Sequence, residues 1–353
     1  MAPRERWLAT LNHELPDRIP ADYRATPETT EKLLRHLGLE DEWALYERLH
    51  IDPIVDVSPE YVGPPLPPDT DVFGIKYTDY SYGDGSYREA IYLRGEVPFP
   101  FAKYSSPEEI EREYRWPDPD WWDYSNIAAQ VEGKEQFVIR GGHCEPFPIY
   151  KDLRGVEQAY LDLRMNPALV HYCLDRLFEL SYQRILRMYE QIPGKVIWTW
   201  VAEDFGSQEG LLISPELIRE FFMPRMKRIV DLVHEGGAFA FWHSDGSVRR
   251  IIPDFVDIGM DVLDPVQWRT RDMDREELKQ EFGEKLVFHG AMDNQYTLAF
   301  GTEDEVRQEV MDNIGILGRG GGYILGPCHN LQVVSPPENI VAMYETAYEH
   351  GWL

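Results

Sequence analysis

The chain has 353 residues and a formal net charge of −27, with 43% apolar and 27% charged residues. Such acidity argues against nucleic acid and anionic membrane as partners, since both need clustered Lys and Arg, and no run approaches the ~20 apolar residues of a membrane span. Three cysteines, Cys144, Cys173 and Cys328, are too few and too odd a set for a secreted disulfide framework. With an N-terminus that runs straight into an amphipathic stretch, they place the expected protein in the cytoplasm.

In chain order, Arg4 to Leu15 reads as a short helix and Asp17 to Tyr23 as a first strand or near-strand ending in a polar residue. Thr26 as N-cap, Pro27 at the first helical position, the apolar face of Leu33, Leu34 and Leu37, and Gly38 as terminator define the next helix. From Tyr61 to Tyr124 the composition turns to Pro, Gly and aromatics. Alternation over Ile75–Tyr80 and Tyr87–Tyr92 around Gly83-Asp84 predicts a β-hairpin, so residues 61–124 are expected to form a cap or insertion on a single barrel domain spanning 1–353.

Beyond residue 130, short apolar runs alternate with helical segments, the pattern of a parallel-sheet α/β protein. The runs are Phe137–Arg140, Val196–Val201, Ala238–His243, Asp261–Asp264, Leu286–His289 and Tyr323–Leu325. Ser214-Pro215 starts a helix expected to kink at Pro224, and Thr302 with Glu305 forms a capping box. A (β/α)8-type barrel is the predicted fold.

Such barrels collect their chemistry where strands end. That rule selects Arg140, His143 and Cys144 from one run; Glu203, Asp204 and Gln208 from the next; then His243 and Asp245. Later runs add Asp264 with Gln267, His289 with Asp293 and Asn294, and finally Cys328, His329 and Asn330. His243, Asp245 and Cys328 could converge as an N, O, S set for zinc with an open fourth position. The alternative is a hydrogen-bonded His243–Asp245 pair and a buried Cys328 thiol. Glu203 and Asp204 are adjacent, so in extended backbone only one can face the pocket. Trp198, Trp200 and Trp242 read as packing.

Three segments carry a family resemblance: the N-terminal run Arg4 to Pro20; Ala202–Gln208 followed by Ser214–Leu217; and the His243–Gly246 turn with Gly326–Asn330. Together they resemble the uroporphyrinogen decarboxylase superfamily, in the branch of corrinoid-dependent methyltransferases. The resemblance implies a distorted (β/α)8 barrel. It also implies a zinc ion bound by a His-x-Cys pair and a distant Cys, activating a thiol that takes methyl from methylcobalamin on a partner protein. His243 and Cys328 match two ligands; Asp245 stands where a Cys is usual, which hardens the site and favours an acceptor other than a thiol, such as a pterin.

On this reading Glu203 is a fourth ligand or general base and Asp204 its catalytic neighbour. Gln208, Gln267, Asp293, His329, Asn330 and Arg140 contact a small methyl donor or acceptor. Porphyrinogen decarboxylation is the rival activity, though Arg18 and Arg24 make no arginine-rich N-terminal motif, and a metal-free module binding a corrinoid protein is the third. The residues leave the oligomeric state open, a homodimer included.

Overall fold

The computed structural model describes residues 1–91 and 98–353. Seven parallel strands form one curled sheet in which each strand pairs with the next along the chain. They are numbered here β1 (Ile54–Val57), β2 (Val138–Cys144), β3 (Trp198–Ala202), β4 (Phe239–His243), β5 (Val262–Asp264), β6 (Val287–Met292) and β7 (Tyr323–Pro327). The six predicted runs all become strands, within a few residues at either end. β1 was not anticipated: it is four residues long and follows a proline, so it carries almost no periodicity.

The eighth position belongs to the segment around Ala21, read from sequence as a near-strand. It forms a single parallel bridge to Leu325 of β7. Asp22 N–H donates to the Leu325 carbonyl at 2.8 Å, Leu325 N–H to Pro20 at 2.9 Å, and on the other edge Asp52 N–H to Ala21 at 3.0 Å. The sheet therefore closes on itself through one extended stretch of chain.

Local chemistry explains the helices. Thr26 Oγ1 accepts from Thr29 N–H, Pro27 sits in the first turn, and Gly38 ends the helix Pro27–Leu37 in the left-handed region at φ 66°. The capping box of Thr302 and Glu305 opens the helix Glu303–Ile316. The expected kink at Pro224 is a full break at Phe222 between Pro215–Phe221 and Met223–Glu235, because proline lacks the N–H that would continue the ladder. The first helix, Pro3–Leu11, is shorter than predicted and plugs the barrel floor. There Trp7 stacks on Trp198 and Phe241 with ring centres 6.4 and 6.1 Å apart.

In the segment 61–124, strands Tyr77–Tyr82 and Gly85–Ala90 form the predicted hairpin about Gly83-Asp84; Tyr92 lies outside the described residues. Phe73, Ile75, Phe101, Tyr104 and Ile110 from this segment are buried in the same apolar cluster as the barrel's own helices. Arg154 ties it down by donating to the carbonyls of Phe101 and Tyr104 at 2.7 and 2.8 Å. Among the described residues, no helix is long and apolar enough to cross a membrane.

Candidate active site

With the floor plugged, the barrel opens at the C-terminal ends of its strands. Side chains alternate along β3. Trp198 packs inside, Thr199 is turned to Tyr189 on the surrounding helix, and Trp200 faces the mouth. The alternation continues past the strand end and separates the adjacent acids. Asp204 faces His243, with Oδ1 3.9 Å from Nε2. Glu203 points outward, fully buried, and both its oxygens accept from Phe147 N–H at the start of the helix Pro146–Arg154, at 3.0 and 3.1 Å. The ligand or base role expected of Glu203 is thereby corrected to that of a helix anchor. Burial, with the charge of Glu145 nearby, pushes its carboxyl well above the usual range.

His243 ends β4 and is 8% exposed. Its Nδ1 donates to Asp264 Oδ2 at 2.7 Å. That bond fixes the tautomer and turns Nε2 toward Asp204 and Asp245, where it has no hydrogen-bond partner among the described residues. Among the described residues, one ligand atom each from Asp204, His243 and Asp245 lies within 4.8 Å of the others. Asp245 N–H donates to Asp204 Oδ1 at 3.0 Å, and Gln267 bridges Gly246 N–H and the Asp245 carboxylate at 2.6 and 3.3 Å. Burial and the neighbouring Asp204 hold the Asp245 carboxyl above its ordinary value, although the His243 charge opposes this.

Beneath the cluster lies a fully buried relay. Asp264, at the end of β5, receives His243 on one oxygen and His289 Nδ1–H on the other at 2.5 Å, with Arg24 3.5 Å away. His289 Nε2–H donates to Asp22 at 3.1 Å. Burial works against charge on His289, but the carboxylates of Asp264 and Asp22 outweigh it and lift the imidazole to about 9. Asp264 is held well below the usual carboxylate range: burial opposes ionisation, and the charges of Arg24 and His289 more than offset it. His289 and Asp264 were visible as strand-end residues, whereas Asp22 and Arg24 join them only through barrel closure.

Cys328 is not a member of the Asp204–His243–Asp245 group. It is 5% exposed, its thiol donates to the Val266 carbonyl at 3.5 Å, and burial and the charge of Asp293 push it well above its ordinary value. The third member of that group is Asp204, where Cys328 was expected. Cys144 and Cys173 are likewise free and buried.

A cleft of about 430 Å³ opens beside the cluster. It gathers most of the remaining predicted contacts, namely Gln208, Gln267, Asp293, Cys328, His329 and Asn330, together with Asp245. Arg269, missed in the sequence, also lines it and pairs with Asp293 at 2.6 Å. Arg140 lies elsewhere: it is ion-paired with Asp56 and lines a separate cleft of about 370 Å³ with His143 and Trp200. Trp200 is more than packing, because Arg24 and Arg140 lie over its ring at 5.0 and 5.7 Å and His243 is 5.0 Å away. Glu145, also missed, accepts from His143 at 3.2 Å; the adjacent Pro146, which opens a helix, was its only sequence signal.

Residues 127–350 match the family model of uroporphyrinogen decarboxylase (URO-D), and the chain belongs to that family. The uroporphyrinogen decarboxylase of Synechocystis sp. is 26% identical over 218 residues, covering 60% of this chain and 54% of that protein. The chloroplastic enzyme of Zea mays is 23% identical over 219 residues, covering 60% and 48%. The chain thus spans about half the length of the curated relatives it matches. Over its full extent the fold is that of a methyltransferase from Methanosarcina mazei, with a TM-score of 0.70 at 18% identity and 99% of both chains covered.

Proposed function

We propose that the protein is a methyltransferase that moves a methyl group between a corrinoid carried by a partner protein and a small acceptor, using a divalent metal, zinc, held by Asp204, His243 and Asp245. The carrying observation is His243: a buried imidazole with Nδ1 anchored on a carboxylate and Nε2 free beside two further carboxylates. This is how metal-binding histidines are oriented, and three protein ligands with an open position suit a catalytic zinc ion. When bound, the metal would act as a Lewis acid that favours the deprotonated, nucleophilic form of the acceptor.

The chain's own groups do the rest. Asp264 fixes the ring of His243, and Gln267 holds the turn that carries Asp245. The adjoining cleft provides the hydrogen-bonding surface on which an acceptor is oriented. Porphyrinogen decarboxylation is the second reading, favoured by the relatives' names and by Arg24 and Arg140 over Trp200. Both guanidiniums, however, already face carboxylates of the chain, Asp264 and Asp56, which leaves little cationic surface for a polycarboxylate.

The test is metal content by elemental analysis, followed by loss of the methylcobalamin spectrum when acceptors are added. Near-stoichiometric zinc is expected in wild type and Cys328→Ser, with loss in His243→Ala, Asp204→Ala and Asp245→Ala while the circular dichroism spectrum is kept. Zinc retained in His243→Ala, or none in wild type purified without chelators, would sink the assignment.

A further inference from the structure

The last paired residues of β3 and β4 are Ala202 and His243, yet the two segments stay in contact beyond the sheet. Phe205 N–H donates to Ser244 Oγ at 3.0 Å, Asp245 N–H to Asp204 Oδ1 at 3.0 Å, and Ser247 N–H to the Ser207 carbonyl at 2.8 Å. Asp204 and Asp245, two members of the Asp204–His243–Asp245 group, both lie inside this stretch. One loop is anchored through Phe205, fully buried against Phe222 and Phe255 with ring centres 5.0 and 6.0 Å away. The other is held by Gln267, which accepts from Gly246 N–H at 2.6 Å.

Two glycines meet at the centre of this contact. A Cβ on Gly206 would stand 3.0 Å from Gly246 C and Ser247 N, and closer still to the Asp245 carbonyl oxygen. A Cβ on Gly246 would stand 2.6 Å from the Ser207 carbonyl oxygen and 2.8 Å from Gly206 C. All of these neighbours are backbone atoms, so no side chain can swing aside; room comes only from parting the loops. Gly246 also lies in the left-handed region at φ 83°, whereas Gly206 does not, so at Gly206 the close approach alone calls for glycine.

We infer that Gly206 and Gly246 are positioning residues: their bare α-carbons let the two loops close on each other, and that closure, rather than the arrival of a metal ion, brings Asp204 and Asp245 up to His243. The ligands are then gathered in advance on backbone that is already locked, which is what a precise site requires. His243 needs no such help, because Asp264 fixes its ring from the other side. The inference deepens the metal reading by naming what assembles the ligand set, and it rests on that reading only for the metal's part.

The test is amide hydrogen exchange of the full chain with and without zinc, followed by cobalt(II) titration read from its visible absorption. In metal-stripped wild type the amides of Asp245 and Ser247 are expected to exchange slowly, with little change when zinc is added. Gly206→Ala is expected to speed both about tenfold or more, to weaken cobalt binding about tenfold or more, and to alter the visible spectrum of bound cobalt. Gly237→Ala is the control: at φ 74°, with nothing within 4 Å of an added Cβ, it carries a backbone cost without the contact. It should lower the unfolding midpoint and leave exchange, cobalt affinity and spectrum as in wild type. Should Gly206→Ala fail to fold, Ser244→Ala removes one bond of the contact, and the same changes are expected at smaller size. Slow exchange seen only with zinc, unchanged exchange or equally tight cobalt in the folded variants, or equal effects in Gly237→Ala would overturn the inference. Wild type that exchanges slowly yet binds no cobalt would sink the metal reading and leave the glycine contact standing.

Discussion

Two sides of the barrel mouth obey the same rule and end differently. At β1 and β2, Asp56, Arg140 and His143 sit at strand ends, but Asp56 and His143 are 58% and 62% exposed at the side chain, and the Arg140–Asp56 pair satisfies both partners. At β4 to β6, His243, Asp264 and His289 also end strands or lie within them, yet they are buried and chained to one another through both ring nitrogens of His289 and both oxygens of Asp264. Strand-end position is common to both sides; burial and a second buried partner set the β4 to β6 side apart.

That contrast breaks most sharply at Asp264. Replacing it with Ala leaves His243, His289 and Arg24 without their shared acceptor in the interior, and a loss of about 3–5 kcal/mol is expected from denaturant unfolding, together with loss of bound metal. An effect below about 1 kcal/mol would mean that the relay is not holding the charges it brings together.

A pH series sharpens the same point. The folded His289 imidazole titrates at about 9, above the ordinary 6.5, so its contribution is complete below about 6.5 and is lost as pH rises through about 9. Wild type should lose stability on the order of a few kcal/mol across that window, and the gap between wild type and His289→Gln should narrow with it. A gap that stays constant from pH 6 to pH 9.5 would contradict a charged His289.

The smallest effect belongs to the exposed side. Asp56→Ala should change unfolding stability by no more than about 0.5 kcal/mol and leave metal content unaltered, since exposed pairs are screened by water. A larger loss would show the two sides to be more alike than their burial suggests.

The sequence made some of this legible for physical reasons. Thr26-Pro27 with Gly38, and Thr302 with Glu305, act within one turn of helix, so their meaning is local. The position of His243 followed from an apolar run that stopped. Period-two alternation limited the site to one of Glu203 and Asp204, and extending it from Trp198 and Trp200 selects Asp204. The replacement of Cys328 by Asp204 in the cluster was not legible, because it depends on how two loops converge above different strands. β1 was too short to show a period.

Barrel closure has a further consequence for assembly. Asp22 and His289 are separated by 267 positions, and Arg24 and Asp264 by 240. Pairings between such distant parts of a chain form late, since the entropy of closing the intervening loop must be overcome first. The relay is therefore completed only when the first extended segment docks against the last strand. A growing chain that has made β4, β5 and β6 holds three ionisable groups at their ends, with His289 lacking Asp22 and Asp264 lacking Arg24 until that docking occurs. Completion of the site and completion of the fold are one event, and the inner charges report whether the ring has shut.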